Sequence, residues 1–335
     1  MAMLLTAGFS TFPTAAVCAF EPTTAERLLV IAPHPDDETI GAGGLIQRVL
    51  RRDGSVRVVL VTAGDGYVEA VVQATGLPRP RPAQYVAYGE QRLREARAAV
   101  RGLGDGKVRL QTLGFPDGGL VSLLHAHWRR THPEHSRTTD VAAPPYPEVL
   151  DPTVAYDGAD LLRELRRVVS ETRPTTVVFP HPLDRHPDHH ATGLFTLLAI
   201  DEWAAEHGTS ADRFPRLLAY LVHWPDWPPG WDAATPRPEA THAGLDLPPS
   251  FPVRDRARTT LMLSEGEVAA KGRALATYVS QQQVMASLLA AFVRQSEPFV
   301  CFTDSDRHET ERIIRQSANS EHHAGQPPRS TTPSQ

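Results

Sequence analysis

Short, nearly unbroken apolar runs recur along this chain, each followed by a segment of helical period. Leu28 to Ala32 and Val56 to Thr62 (VRVVLVT) show almost no polar alternation, the pattern of strands covered on both faces in a parallel sheet. Between them, Ile40, Gly44, Ile46 and Leu50 fall at helical spacing within Thr39 to Arg52, so the first unit reads strand, helix, strand. A second helix is expected from Gln84 to Leu103, stopped at Gly104, and another strand over Val108 to Leu113. Asp160 to Glu171 is amphipathic and closed by Pro174, Thr175 to Phe179 (TTVVF) reads as a buried strand, and a helix starting at Asp188 or His189 runs to His207. This alternation predicts an α/β fold: a Rossmann-like, doubly wound, mostly parallel sheet with helices on both faces.

Two segments break the rhythm. Phe115 to Pro152 contains Gly118, Gly119 and the turn-rich APPYPEVLDP, and reads as a long loop or lid. Pro225 to Pro252 is too rich in proline for regular structure and carries Trp227 and Trp231, with Trp224 just before it. Both are expected as insertions over the C-terminal edge of the strands, with the tryptophans pinning their loop to the core. A helical pattern returns from Ser264 to Arg294, followed by the strand-like PFVCF. The expected organisation is an N-terminal extension over 1–25, one α/β domain over 26–314 and a disordered tail over 315–335.

Composition narrows the class. With 335 residues and 41% hydrophobic content the chain can build a substantial core. A net charge of -5, with no Lys or Arg run, leaves no footprint for nucleic acid or an anionic membrane surface. Cys18 and Cys301 lie far apart, so neither a disulfide framework nor a thiolate cluster is expected, and any metal must be held by His and carboxylates. The apolar first twenty residues resemble a secretory segment but have no Lys or Arg ahead of them, so a cytoplasmic protein is expected, with secretion as the alternative. No run reaches the ~20 apolar residues of a membrane helix.

The chemistry sits at two strand exits. The first is Pro33-His34-Pro35-Asp36-Asp37-Glu38; the second, after TTVVF, runs from Pro180 to His190 as PHPLDRHPDHH. Prolines at 33, 35, 180, 182 and 187 keep both out of helix and hold their side chains over the sheet edge, where doubly wound folds bind ligands. Three adjacent carboxylates repel one another unless a cation or a proton-transfer task separates their roles. His34, one of Asp36 and Asp37, and one His of the second exit would give three ligands for zinc or another divalent first-row metal, with a position left open for water.

His34-Pro35-Asp36-Asp37-Glu38 with Gly41-Ala42-Gly43-Gly44, paired with His186-Pro187-Asp188-His189, resembles the PIG-L/LmbE-like family of zinc-dependent de-N-acetylases over about residues 26 to 305. The resemblance implies that His34, Asp37 and His189 bind zinc and that Asp36 is the general base. It further implies that a protonated His186 stabilises the oxyanion, with Asp188 orienting an imidazole from behind. Arg92 with Glu95 matches the family's Arg-x-x-Glu, Asp117 its acidic turn, and LATYVSQ (Leu275 to Gln281) its late helix, which makes Arg92 and Asp117 candidates for contact with sugar hydroxyls. The implied reaction is removal of an acetyl group from an N-acetylated amino sugar by zinc-activated water, on a small-molecule or glycoconjugate substrate.

Two departures bear on the substrate. Asp184 stands two residues before His186, where the mycothiol-type members present a Tyr, and the two insertions are longer than a small thiol-cofactor enzyme needs. The substrate is therefore expected to be another amino sugar, on a larger glycan, lipid or natural product, with an amidase acting on a non-sugar substrate as the alternative. A metallophosphoesterase would want two metals and more ligands. A phosphate loop at Gly41-x-Gly43-Gly44 would put three carboxylates ahead of a phosphate. A non-catalytic metal- or glycan-binding protein would have no use for a free carboxylate beside the ligands. His125, His127, His132 and His135 read as part of a solvated lid, not as a second metal site.

Overall fold

The computed structural model describes residues 20–208, 214–231, 243–253 and 257–302. The first strand, β1 (Arg27–Ala32), is buried at every position after Arg27, as its unbroken apolar run requires. Its parallel neighbours are β2 (Ser55–Thr62) and β4 (Thr176–Pro180), with Val30 opposite Val58 on one side and Val178 on the other. β3 (Arg109–Phe115) pairs parallel with β2, and β5 (Arg216–Tyr220) parallel with β4. The sheet continues antiparallel through β7 (Ser296–Cys301) to the edge strand β6 (Arg258–Met262), giving the order β3-β2-β1-β4-β5-β7-β6.

The chain winds outward from β1 to β3 and then crosses back to β4, so β1 and β4 form the switch point beyond which open α/β sheets bind ligands. α1 (Asp37–Arg51) links β1 to β2, α3 (Pro82–Gly104) precedes β3, α5 (Gly158–Thr172) precedes β4, and α6 (Pro187–His207) precedes β5. The doubly wound expectation holds. α5 starts as its sequence suggests: the Asp157 carboxylate accepts the Asp160 amide, a cap of about 1 kcal/mol.

Several elements were not in the sequence reading. α2 (Val68–Thr75) follows β2, and the short α4 (Leu120–His125) interrupts the expected loop after Phe115. β5 and β6 join the strands that the sequence pattern predicts, and the helical stretch after Ser264 divides into α7 (Glu265–Ala276) and α8 (Val279–Ala291). The proline-tryptophan segment has no helix or strand among its described residues; Trp227 is buried edge-on against Phe292, Trp224 packs edge-on against Phe251, and Trp231 is exposed. Cys301 closes β7 and is buried. The expected extension up to residue 19 and the tail 315–335 lie outside the described residues. No helix among those residues is long and apolar enough to cross a membrane.

Candidate metal centre and active site

Asp36 turns the corner between β1 and α1. Its φ of 120° and ψ of -32° are rare for any residue but glycine, a strain of about 1–3 kcal/mol that persists only where neighbours over-determine it. They do so here. The Asp36 carbonyl accepts the amides of Thr39 (3.0 Å) and Ile40 (2.8 Å), and its own amide donates to Glu38 Oε2 (3.1 Å). Arg92, on α3, donates to Asp36 Oδ2 (3.1 Å) and to the carbonyls of Pro35 (2.7 Å) and Gly64 (2.8 Å). Glu38 in turn accepts hydroxyl hydrogen bonds from Thr39 and from Tyr278 at the start of α8.

The two strand exits meet at one atom. His34 Nδ1 and His189 Nε2 each lie 3.1 Å from Asp37 Oδ2. His189 is fully buried, yet neither of its ring nitrogens has a well-directed hydrogen bond; Asp184 Oδ2 stands 3.4 Å from the second one. Buried imidazole nitrogens without partners, aimed at an oxygen shared with a second imidazole, fit a metal-ligand set, since an unpaired buried polar atom is otherwise costly. His34, His186 and His189 also bring one ring nitrogen each within 4.8 Å of one another, so these residues can hold a metal ion.

Acidic groups stand behind the imidazoles, as such ligands require. His34 Nε2 faces Asp188 Oδ2 (3.3 Å) and Asp117 Oδ1 (3.2 Å). Asp188 is held by the amides of Gly118 (2.6 Å) and Leu120 (3.2 Å), and Asp117 by the amide of Gly66 (2.5 Å). Asp188 therefore orients the imidazole of His34, across the site from its own helix. Asp184 accepts the amides of His186 (2.9 Å), Val222 (2.8 Å) and His223 (3.0 Å), tying the β4 exit to the β5 exit behind His189.

Adjacent carboxylates acquire opposite properties. Burial pushes Asp36 up to about 8 despite the pull of Arg92, whereas burial of Asp37 is outweighed by His189 and His34, which hold it well below the usual carboxylate range. Burial disfavours charge on His34, but Asp117, Asp188 and Asp37 more than offset it and raise the group. Separated environments for neighbouring acids are the signature of divided acid-base roles.

His186 caps the start of α6 through its ring. Its Nδ1 accepts the Asp188 amide (3.2 Å) as the N-cap of α6, so that nitrogen carries no proton and the ring is a neutral imidazole with its N–H at Nε2. Burial and the neighbouring rings of His34, His189 and His223 push the group down to about 2, in the same sense.

All eight candidate site residues gather at this edge. Arg92 is paired with Asp36 and not with Glu95, which accepts the amide (3.1 Å) and hydroxyl (2.5 Å) of Ser280 in the late-helix motif. Missed by the sequence reading was His223, whose ring lies 4.8 Å from that of His189 and 5.1 Å from that of His186. Its signal was available as a His ending the apolar run LLAYLV. Tyr146, from the insertion, donates to the buried Asp65 at the β2 exit. The His-rich segment forms no metal-type cluster among the described residues; His127 pairs with Glu134 at 2.9 Å.

The glycines after the acids serve packing. A Cβ at Gly41 would lie 2.5 Å from the Tyr220 ring, one at Gly43 3.3 Å from Lys271 Cγ, and one at Gly44 2.4 Å from Leu263. They let β5, α7 and the segment after β6 close against α1.

A buried His-Asp cluster able to hold a metal, with the Asp36 carboxylate paired to Arg92 beside it at the switch point of a doubly wound sheet, is an arrangement suited to metal-assisted hydrolysis. The family model described as GlcNAc-PI de-N-acetylase (PIG-L) matches residues 29–200, just over half of the chain, and the chain belongs to that family. It is 28% identical over 273 residues, 77% of this chain and 84% of the relative, to the 1D-myo-inositol 2-acetamido-2-deoxy-alpha-D-glucopyranoside deacetylase of Tsukamurella paurometabola. The protein of the same name from Mycobacteroides abscessus is 28% identical over 295 residues, 83% of this chain and 92% of that one. Among solved structures, the conserved protein TT1542 of Thermus thermophilus is 23% identical, with 83% of this chain and 95% of that one covered at a TM-score of 0.49. The chain is an enzyme of the deacetylase class, hydrolysing an amide C–N bond.

Proposed function

We propose that this enzyme removes the acetyl group from an N-acetylated amino sugar of the N-acetylglucosamine type, with zinc held by His34, Asp37 and His189. The observation that carries this reading is the meeting of His34 Nδ1 and His189 Nε2 on one Asp37 oxygen while Asp36, the next residue, faces Arg92 instead. The relatives' names supply the sugar class. Two imidazoles and a carboxylate suit zinc, which when bound acts as a Lewis acid on the acetamide carbonyl and on a water molecule.

The chain's own groups supply the remaining steps. Asp36 accepts a proton as the water oxygen bonds to the acetyl carbon; Arg92 keeps its carboxylate aimed into the site. His186 donates its Nε2–H to the oxygen on which negative charge develops, a contribution of about 3 kcal/mol for a donor of this kind. Asp36 then returns the proton to the departing nitrogen as the C–N bond breaks, giving acetate and the free amine. Asp117 and Asp188 hold His34, and Asp184 holds His189. Tyr146, from the long insertion, donates to Asp65 at the β2 exit, and the length of that insertion is the ground for proposing a substrate larger than a bare sugar. Acetate release from a panel of N-acetylglucosamine conjugates, with zinc restored, tests the proposal; release from none of them, or release equally fast after Asp36→Asn, overturns it.

A further inference from the structure

α1 is broken one turn after its carboxylates: Ala42, at φ -146° and ψ 15°, lies outside helical geometry. In an unbroken helix the Gly44 amide donates to the Ile40 carbonyl four residues earlier. Here each of those groups meets a charge. Lys271 Nζ, on α7, donates to the Ile40 carbonyl (2.8 Å), and Glu297, on β7, accepts the amides of Gly44 (2.7 Å) and Leu45 (2.9 Å). Lys271 and Glu297 are themselves joined at 2.7 Å, and each side chain is only 2% exposed. The ion pair bridges the break. Gln47, from the far side of the break, donates to the Gly43 carbonyl (3.0 Å), and Gly43 leaves room for the stem of Lys271.

We propose that Lys271 and Glu297 are positioning residues: bridged across the break, they fix the first turn of α1 and thereby the angle at which Asp36 and Asp37 enter the site. This role rests on the proposed metal site and adds two residues to it. A fully buried ion pair is a poor stabiliser compared with apolar side chains of similar size, and its best-attested use is to specify one geometry. The geometry specified here is local. Asp36 accepts the amides of Thr39 and Ile40 through its carbonyl, while the Ile40 carbonyl is the atom that Lys271 grips, so only one turn separates the strained Asp36 backbone from the pair. The antiparallel end of the sheet, which sends no side chain to the metal cluster among the described residues, thus acts on the chemistry from behind.

The test uses the full chain and zinc alone as the first probe. Glu297→Gln and Lys271→Met should each weaken zinc binding, read by competition with a chelating dye, about 10–100-fold, the range seen when groups supporting metal ligands are removed. With zinc saturating and the best conjugate of the panel, kcat should fall about tenfold or more while KM changes less than about twofold, because the reacting groups are misplaced and the sugar contacts are not. The double variant Lys271→Met with Glu297→Leu guards against simple unfolding: it should recover a melting temperature near that of the parent but recover neither zinc affinity nor kcat. Single or double variants that match the parent in zinc affinity and kcat, whatever their melting temperature, overturn the positioning role. A parent protein that binds no zinc overturns the site reading itself, and this role with it.

Discussion

Arg92 and Asp36, on different elements and 56 residues apart in the chain, meet at 3.1 Å with both side chains almost wholly buried. The guanidinium also closes on two backbone carbonyls at the strand exits, so it fixes the peptide that presents Asp36 as well as its carboxylate. Arg92→Met should leave a buried acid without its cation and cost roughly 3–5 kcal/mol of stability, read by denaturant unfolding. Arg92→Lys should keep the charge and lose the fork, retaining the fold with kcat lowered about tenfold or more.

Asp36→Asn should keep metal binding and lose about 10²–10⁴-fold in kcat, the usual contribution of a general base. His34→Ala or His189→Ala should lose metal and turnover together. Elemental analysis beside acetate release separates the two outcomes, and an Asp36→Asn enzyme with parental turnover contradicts the assignment of the base.

Asp184→Asn should weaken metal binding by about 10–100-fold, because the carboxylate behind His189 becomes an amide that cannot accept in the same way. The amides of Val222 and His223, also received by Asp184, should show faster hydrogen exchange in this variant. Unchanged exchange there would mean that the β5 exit does not depend on Asp184.

Acid stability has a marker far from the metal. Burial disfavours the Glu267 carboxylate, but Arg48 and the amide and hydroxyl of Ser264 hold it at about 2 against an ordinary 4.5. A depressed carboxylate stabilises the fold above its unfolded value, and that stability is lost as pH falls from about 4.5 toward 2. Glu267→Gln should therefore cost roughly 1–2 kcal/mol at neutral pH, discounted because Arg48 and Arg51 reach solvent, and should flatten the decline below pH ~4.5. Urea titrations across that window check the sign.

Gly41→Ala should destabilise by about 1–3 kcal/mol or more, since its Cβ would strike the Tyr220 ring. Tyr220→Leu in the same chain should recover part of the loss, which thermal melts can resolve.

The parallel half of the sheet and the metal cluster were legible for a shared reason. Strands covered on both faces read as apolar runs, and prolines at their ends hold His and Asp outside helix, so the burial and the chemistry are both written locally. β6 was not legible because it is an edge strand: of its residues only Leu261 is buried, and its first three, Arg258, Thr259 and Thr260, show no apolar alternation. Asp184 and His223 escaped because their roles exist only once the β5 exit returns beside the β4 exit, a contact between residues 38 and 39 positions apart. The helix break was equally hidden. The run Gly41 to Gly44 does not declare it, and only the positions of Tyr220, Lys271 and Leu263 show that the space beside these glycines is filled.

The hydrogen bond that sets the His186 tautomer comes from the main chain of α6. A proton placed by a side chain can be moved by one substitution, whereas one placed by a peptide amide travels with the helix itself. In the proposed mechanism this donor is therefore set by the backbone of α6, and a substitution of any other side chain leaves the amide that fixes it in place.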